Sequence, residues 1–396
     1  MNSGRTPLFA VSNEEGCWPT GIQELLLKAT LLKGEEALNA WNEWRAKADI
    51  DLIDAGSLRL LPLLHENLKA HGVADPLMER FKGVHRLYWY RNQMLLRTMA
   101  GVLKEFQDAG IRTMVLKGAA LIQQYYEDYG SRPMSDFDVL VPDAHVLRGV
   151  EILRSLGWTS YPEAQTTFSK DSCAVRSACH FVDADGRELD LHWRLLNECR
   201  YKGADDDFWN ETISTNIFGI NTCILCPTDQ FLYLIIRGPK WEYPSPLRWI
   251  ADAMMIIDIS LPQIDWKRLI NQARKRHLII PVRRSLNYLQ RVLNAPIPAD
   301  VLKDARSASV SKRESTEFQL RTRLPGLRTY LLRYWYAYLR YSRGIGSGQQ
   351  CYKRIHFLRY LQYFWGLEHE WQVPIHAASS IIKVVRRKLK PATNKK

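Results

Sequence analysis

Helical periodicity at both ends of the 396-residue chain, with four short β-type runs between residues 112 and 192, predicts an α+β protein. The expected layout is a helical N-terminal region over 1–106 and a strand-bearing core over 107–200. A second helical region over 201–320 closes a cleft against that core, and aromatic, basic C-terminal helices with a tail fill 321–396.

Each part has its own signal. "GIQELLLKATLLKG" and "LRLLPLLHENLKAHG" repeat apolar residues at helical spacing and end in Gly, and a long amphipathic run follows from Pro76 to Phe106. Strands are expected at 112–116, 137–141, 179–183 and 188–192, with helical patterns at 119–128 and 143–156 between them. After Cys226, "PTDQFLYLIIRGPKW", "PLRWIADAMMIIDIS" and "DWKRLINQARKRH" are helical, with Pro-rich joints between Pro239 and Pro246. The polar segment 300–328 predicts one helix and a linker. In "RTYLLRYWYAYLRY", Leu331, Trp335 and Tyr338 predict a buried stripe. No internal repeat is present.

With 46% hydrophobic residues, the chain can bury a sizeable core in two or three packed units. Its first twenty residues lack the segments of a secretory signal, and no apolar run approaches the roughly 18 residues of a spanning helix. A cytoplasmic protein is expected. Seven scattered cysteines agree with a reducing compartment. Cys223 and Cys226 form a lone CxxC, which reads either as half of a zinc site or as part of an apolar strand. The formal charge of +13 concentrates in the arginines of 321–360 and in "KVVRRKLKPATNKK" from Lys383 on. Such a surface can attract a polyanion, although a terminal basic run also serves as a solvated tail.

Chemistry-bearing residues gather in the core. "RTMVLKG" ends a strand at Lys117-Gly118, and Ala119 opens a helix directly, so free backbone N–H groups and a helix dipole offer a seat for phosphate. Asp136 and Asp138 lie two apart in a strand and project from one face, while Phe137 faces the core. Paired carboxylates repel unless a cation neutralises them, and Mg²⁺ or Mn²⁺ suits such oxygen ligands. Alone, the pair also fits an exposed loop. In "GRELDLHWRLL", however, Asp190 supplies a third carboxylate from a neighbouring strand, and three carboxylates beside a phosphate turn can hold two metal ions.

Other residues carry two readings. Arg132 contacts a triphosphate or fixes its loop by pairing with an acid. His192, and less directly His180, orient a carboxylate, touch substrate or fill a half-buried structural place. Tyr125 and Tyr126 belong to the core or stack on a base. Arg248 and Asp252 form an ion pair within one helix, or line the cleft from its far side.

The succession Lys117-Gly118, short helix, Arg132-Pro133, Asp136-x-Asp138 and "LDLHW" at 189–193 resembles the uncharacterised bacterial nucleotidyltransferase family of the polymerase-beta-like superfamily. The resemblance is clearest over 110–196 and extends to "LRWIADAMMIID", "IDWKRLINQARKR" and the helical N-terminal part. It implies a small mixed-sheet nucleotidyltransferase core. Gly118 matches the glycine of the family's phosphate turn, Asp136 and Asp138 the metal pair, and Asp190 the third carboxylate, which helps to deprotonate the acceptor. Ala119 departs from the usual Gly or Ser and keeps only a backbone N–H for phosphate. The resemblance further implies a nucleoside triphosphate such as ATP, Mg²⁺ or Mn²⁺, and a hydroxyl acceptor on a small molecule, peptide, protein or RNA. A different class stays open: a catalytically silent nucleotide- or RNA-binding protein of the same fold. Among enzymes, an RNA-modifying or toxin-like one stands beside a biosynthetic one.

Overall fold

The computed structural model describes residues 17–161, 168–240, 247–323, 327–343 and 355–389. The end of the basic tail and most of the Pro-rich joint at 239–246 lie outside them, as do the side chains of 381–389.

The N-terminal region folds as α1 (Gly21–Leu31), α2 (Gly34–Lys47), α3 (Ala55–Leu58), α4 (Leu61–Ala70) and the long α5 (Leu77–Asp108). Helix α1 starts where Thr20 and Gln23 satisfy each other's backbone N–H groups. The core then runs β1 (Met114–Leu116), α6 (Lys117–Tyr125), β2 (Asp136–Leu140), α7 (Val146–Ser155), β3 (Thr159–Tyr161), α8 (Lys170–Val175), β4 (Ala178–Val182) and β5 (Glu188–His192). Next come α9 (Asp206–Asn210), β6 (Ile213–Ile217) and β7 (Ile220–Ile224). Helices α10 (Pro227–Arg237), α11 (Arg248–Ser260), α12 (Trp266–Lys275), α13 (Ile279–Leu293), α14 (Ala299–Ser307) and α15 (Lys312–Thr322) follow. Finally, α16 (Leu327–Arg343), α17 (Phe357–Trp365) and α18 (Gln372–Leu389) complete the described chain.

Seven strands form one sheet in the order β3-β4-β5-β2-β1-β7-β6. The β2–β5 and β1–β7 pairs are parallel and the rest antiparallel, so the sheet is mixed and the fold is α+β. All four expected strands are present within two residues of their expected ends. The short edge strand β3 and strand β6 were not anticipated, whereas β7 is the strand that the reading of Cys223 and Cys226 as part of an apolar strand allowed. The β6–β7 hairpin turns on Phe218 and Gly219, both at positive φ, a geometry usually announced by Asn-Gly. The hairpin extends the sheet past residue 200, into the span expected to be helical.

Period-two alternation sorts the side chains. Phe137, Val139, Leu189 and Leu191 pack against α5 and α7, which contribute Met99, Phe106 and Leu153. The opposite face carries Met114, Leu116 and Leu140 into a larger core built from helices of both flanks.

Two C-terminal expectations change. Segment 300–328 holds two helices, α14 and α15, the second started by Ser311 accepting from the Glu314 N–H. On α16, Leu331 and Trp335 remain 48% and 42% exposed, and of the expected stripe only Tyr338 joins the packed cluster. The packed face is instead Tyr334, Ala337, Tyr338 and Tyr341, itself at helical spacing, against α17. Both faces of this helix are aromatic, so periodicity alone does not choose between them; the partner helix does. Among the described residues no helix is long and apolar enough to cross a membrane.

Candidate active site

The parallel register of β2 and β5 sets Asp138 beside Asp190, and the β4–β5 register sets His180 beside Asp190. Leu140 pairs with His192, which brings that imidazole to the same face. Asp138, Asp190 and His192 each offer a ligand atom, all within 4.8 Å of one another, a grouping able to hold a metal ion.

A side chain of the protein lies at this cluster. The Lys117 ammonium is hydrogen-bonded to Asp138 Oδ1 and stands 3.6 Å from Asp190 Oδ2. Burial would lift the Asp138 carboxyl, but the charge of Lys117 and the hydrogen bond from His192 hold it well below the usual range. Lys117 is the mirror case: burial opposes its charge, and Asp138 keeps it protonated. His192 Nε2 lies 2.9 Å from Asp138 Oδ1, and burial with the nearby Lys117 lowers the imidazole's pKa, so it is neutral near pH 7. An ionised Asp138 only accepts, so His192 carries its proton on Nε2 and leaves a buried, unpartnered Nδ1. His180 Nδ1 stands 2.9 Å from Asp190 Oδ1.

Lys117 adopts φ 48°, a left-handed conformation that costs a non-glycine residue about 1 kcal/mol or more. Strand β1 passes straight into α6 at this residue, and no side chain caps the first turn. A Cβ on Gly118 would lie 2.6 Å from Met134 Sδ and 2.8 Å from Arg132 Nη1, so glycine is needed where the turn meets the loop before β2. Asn92 fixes that loop through the carbonyls of Tyr129 and Arg132, and Asp128 through the N–H groups of Gly130 and Ser131. Ala119 buries its methyl group in the core.

Arg132 pairs with an acid. Its Nε and Nη2 donate to the two Asp252 oxygens at 2.7 and 2.8 Å, both residues almost fully buried, and Tyr126 adds its hydroxyl to the same carboxylate. Arg248 does not pair with Asp252 along α11 but donates to the Pro133 carbonyl at 2.9 Å. Burial and the charge of Arg132 push the Arg248 pKa down to about 10. Tyr125 and Tyr126 both lie in the core.

A cleft of about 410 Å³ opens beside this array, with Asp190 set behind its lining. Lys117, Gly118, Arg132, Asp136, Asp138, Arg248 and Asp252 line it, with α3 and α10 opposite. Asp136 stands outside the tight cluster and hydrogen-bonds Ser135. His180 and His192 reach the site through the aspartates rather than the cleft wall. Cys223 lies on β7 and Cys226 at the start of α10, and among the described residues no metal-competent group includes either.

Sequence reasoning missed Arg237, Tyr233 and Arg59, which also face the cleft. Arg237 ends the apolar α10, where a basic residue reads as ordinary support for the helix dipole. Only the structure sets it apart: α10 is buried almost throughout, and Arg237 is its one half-buried position.

A family model described as "uncharacterised nucleotidyltransferase" matches residues 55–294. No match is found among curated proteins. Among solved structures, an antigenic nucleotidyltransferase-like protein from Paracoccidioides brasiliensis is 13% identical, covering 52% of this chain and 95% of its own, with a TM-score of 0.35. The matched family span runs from α3 at the rim of the cleft, through both acid-bearing strands, to the end of α13. The chain belongs to the family of uncharacterised nucleotidyltransferases.

Proposed function

We propose that the protein is a metal-dependent nucleotidyltransferase, moving a nucleoside monophosphate from a nucleoside triphosphate, such as ATP, to an acceptor hydroxyl. One observation carries the reading: a half-buried cationic nitrogen rests between carboxylates of adjacent parallel strands, beside an uncapped helix start. The Lys117 ammonium marks a place where this site accepts positive charge. Asp138 and Asp190 would hold Mg²⁺ or Mn²⁺, with Asp136 and His192 flanking them. Such an ion supplies charge neutralisation and polarises the reacting oxygens.

The chain's own groups do the rest. Lys117, released from the acids, and the N–H groups at the start of α6 hold the β and γ phosphates. Arg132 keeps the phosphate turn in place through its Asp252 pair, and its remaining nitrogen faces Gly118. The acceptor oxygen attacks the α-phosphorus in line; an O–P bond forms, the bond to the β-phosphate oxygen breaks, and pyrophosphate leaves with the electron pair. The hydroxyl proton passes to Asp190, whose other oxygen His180 holds. Positioning and preset charge account for most of the rate.

The test incubates the protein with cell extract, Mg²⁺ or Mn²⁺ and each nucleoside triphosphate labelled at the α or the γ position. Label is expected only from the α position, with Asp138→Asn and Asp190→Asn reducing it by roughly 100-fold or more. Transfer from the γ position would mean phosphoryl transfer and overturn the reading. Absence of any transfer would favour a silent nucleotide-binding protein.

A further inference from the structure

Behind the cleft lies a second cavity of about 390 Å³, between the segment after β5 and helices α10, α15 and α16. Arg237 and Lys240 line both spaces and form their common wall. The acids of this second cavity are already engaged. Glu198 pairs with Arg321, Glu317 with Arg340, and Glu314 accepts the Ile280 N–H.

Three guanidinium groups lining this cavity have no carboxylate partner among the described residues. Arg237 makes neither an ion pair nor a hydrogen bond there and rests over the Tyr233 ring at 5.2 Å. Arg333 donates only to the carbonyls of Leu320, Arg321 and Arg323. Arg200, 9% exposed, donates to the Val175 carbonyl and the Tyr360 hydroxyl and keeps a buried Nε with no partner. Arg200 is buried and Arg237 and Arg333 are half-buried, so guanidinium donors with no carboxylate partner face this cavity, where an anion from outside the chain would find them. Three planar donors suit the three oxygens and nearly two charges of a phosphate better than a single carboxylate. Phe318, Leu320 and Tyr336 give the rest of the cavity an apolar side for a carbon skeleton. The volume is that of a small-molecule site.

We propose that this cavity is the acceptor pocket, and that it takes a small phosphomonoester alcohol. The phosphate lies against Arg200, Arg237 and Arg333, and the hydroxyl reaches past Arg237 toward Asp138 and Asp190. The assignment rests on the nucleotidyl-transfer reading of the neighbouring cleft. It gives Arg237, which lines both spaces, a positioning role between the two substrates.

Calorimetric titration of the full chain with glycerol 3-phosphate and ribose 5-phosphate, against glycerol and ribose, tests this directly. The phosphates bind and the uncharged alcohols do not; Arg333→Gln and Arg237→Gln each weaken binding roughly tenfold or more. Arg237→Gln breaks no hydrogen bond among the described residues, so it keeps the test valid if Arg333→Gln loosens α15, which a melting curve shows. A non-hydrolysable nucleotide binds Arg333→Gln as it binds the parent, because Arg333 lines only the second cavity. Phosphates that bind both variants like the parent, or that the nucleotide analogue displaces competitively, overturn the pocket while leaving the cleft reading intact. Binding confined to RNA strands overturns the small-acceptor assignment. Arginine-dependent phosphate binding with no α-label transferred to any phosphate acceptor removes the acceptor role and counts against the cleft reading instead.

Discussion

Asp205 holds its carboxyl in the interior, where Oδ2 accepts the Leu195 N–H at 2.9 Å and Oδ1 finds no partner. Burial raises its pKa to about 6, against the pull of Arg194 and that N–H, from an ordinary value of 3.8. Between those values the folded state keeps a proton that the unfolded chain has lost, so stability falls as pH rises through the window and stays lower above it. The loss amounts to about 3 kcal/mol as an upper figure. Asp205→Asn keeps an acceptor for Leu195 and removes the ionisation. It is therefore expected to be about 1–3 kcal/mol more stable than the parent at pH 7 and to lack this decline, as urea unfolding at several pH values would show. Equal stability at pH 7 would contradict this. At this scale the sequence was most informative where chemistry follows spacing. Asp136-x-Asp138 and Asp190-x-His192 declare a shared face because strand side chains alternate. It was silent about Lys117 bridging the acids and about Arg237, since both facts depend on which strands and helices become neighbours.

Between elements, the Arg132–Asp252 pair ties the loop before β2 to α11. The sequence offered Asp252 a partner one turn away at Arg248, and the fold gave it a buried one from another element, leaving Arg248 for a backbone carbonyl. Removing one member leaves a desolvated charge, so Asp252→Ala is expected to cost about 3–5 kcal/mol in denaturant unfolding. An Arg132→Met, Asp252→Leu double variant should recover most of that stability while losing nucleotide affinity, because Gly118 loses the side chain packed against it. If the double variant is no more stable than Asp252→Ala, the pair is a net stabiliser rather than a means of orientation. The strands the sequence missed are short or mostly exposed: β3 spans three residues, and β6 buries one residue of five.

Across the whole molecule, the N-terminal helices share a core with the sheet and the later helices. Leu26, Trp44, Leu64 and Phe81 cluster with Leu116, Tyr125, Phe231, Ile250 and Leu286. We therefore expect a chain beginning at residue 109 to lose cooperative unfolding and to bind a hydrophobic dye, as circular dichroism and dye fluorescence would show. A sharp two-state transition in that truncated chain would instead make the N-terminal helices a separate unit. The whole-molecule arrangement also gives the lysine between the aspartates a wider meaning. In proteins whose acids or thiols are balanced only by a bound ion, assembly waits on that ion, and chelation unmakes the fold. Here a residue of the chain supplies the balancing charge itself, so an incoming cation would replace a counter-ion already in place rather than complete the fold.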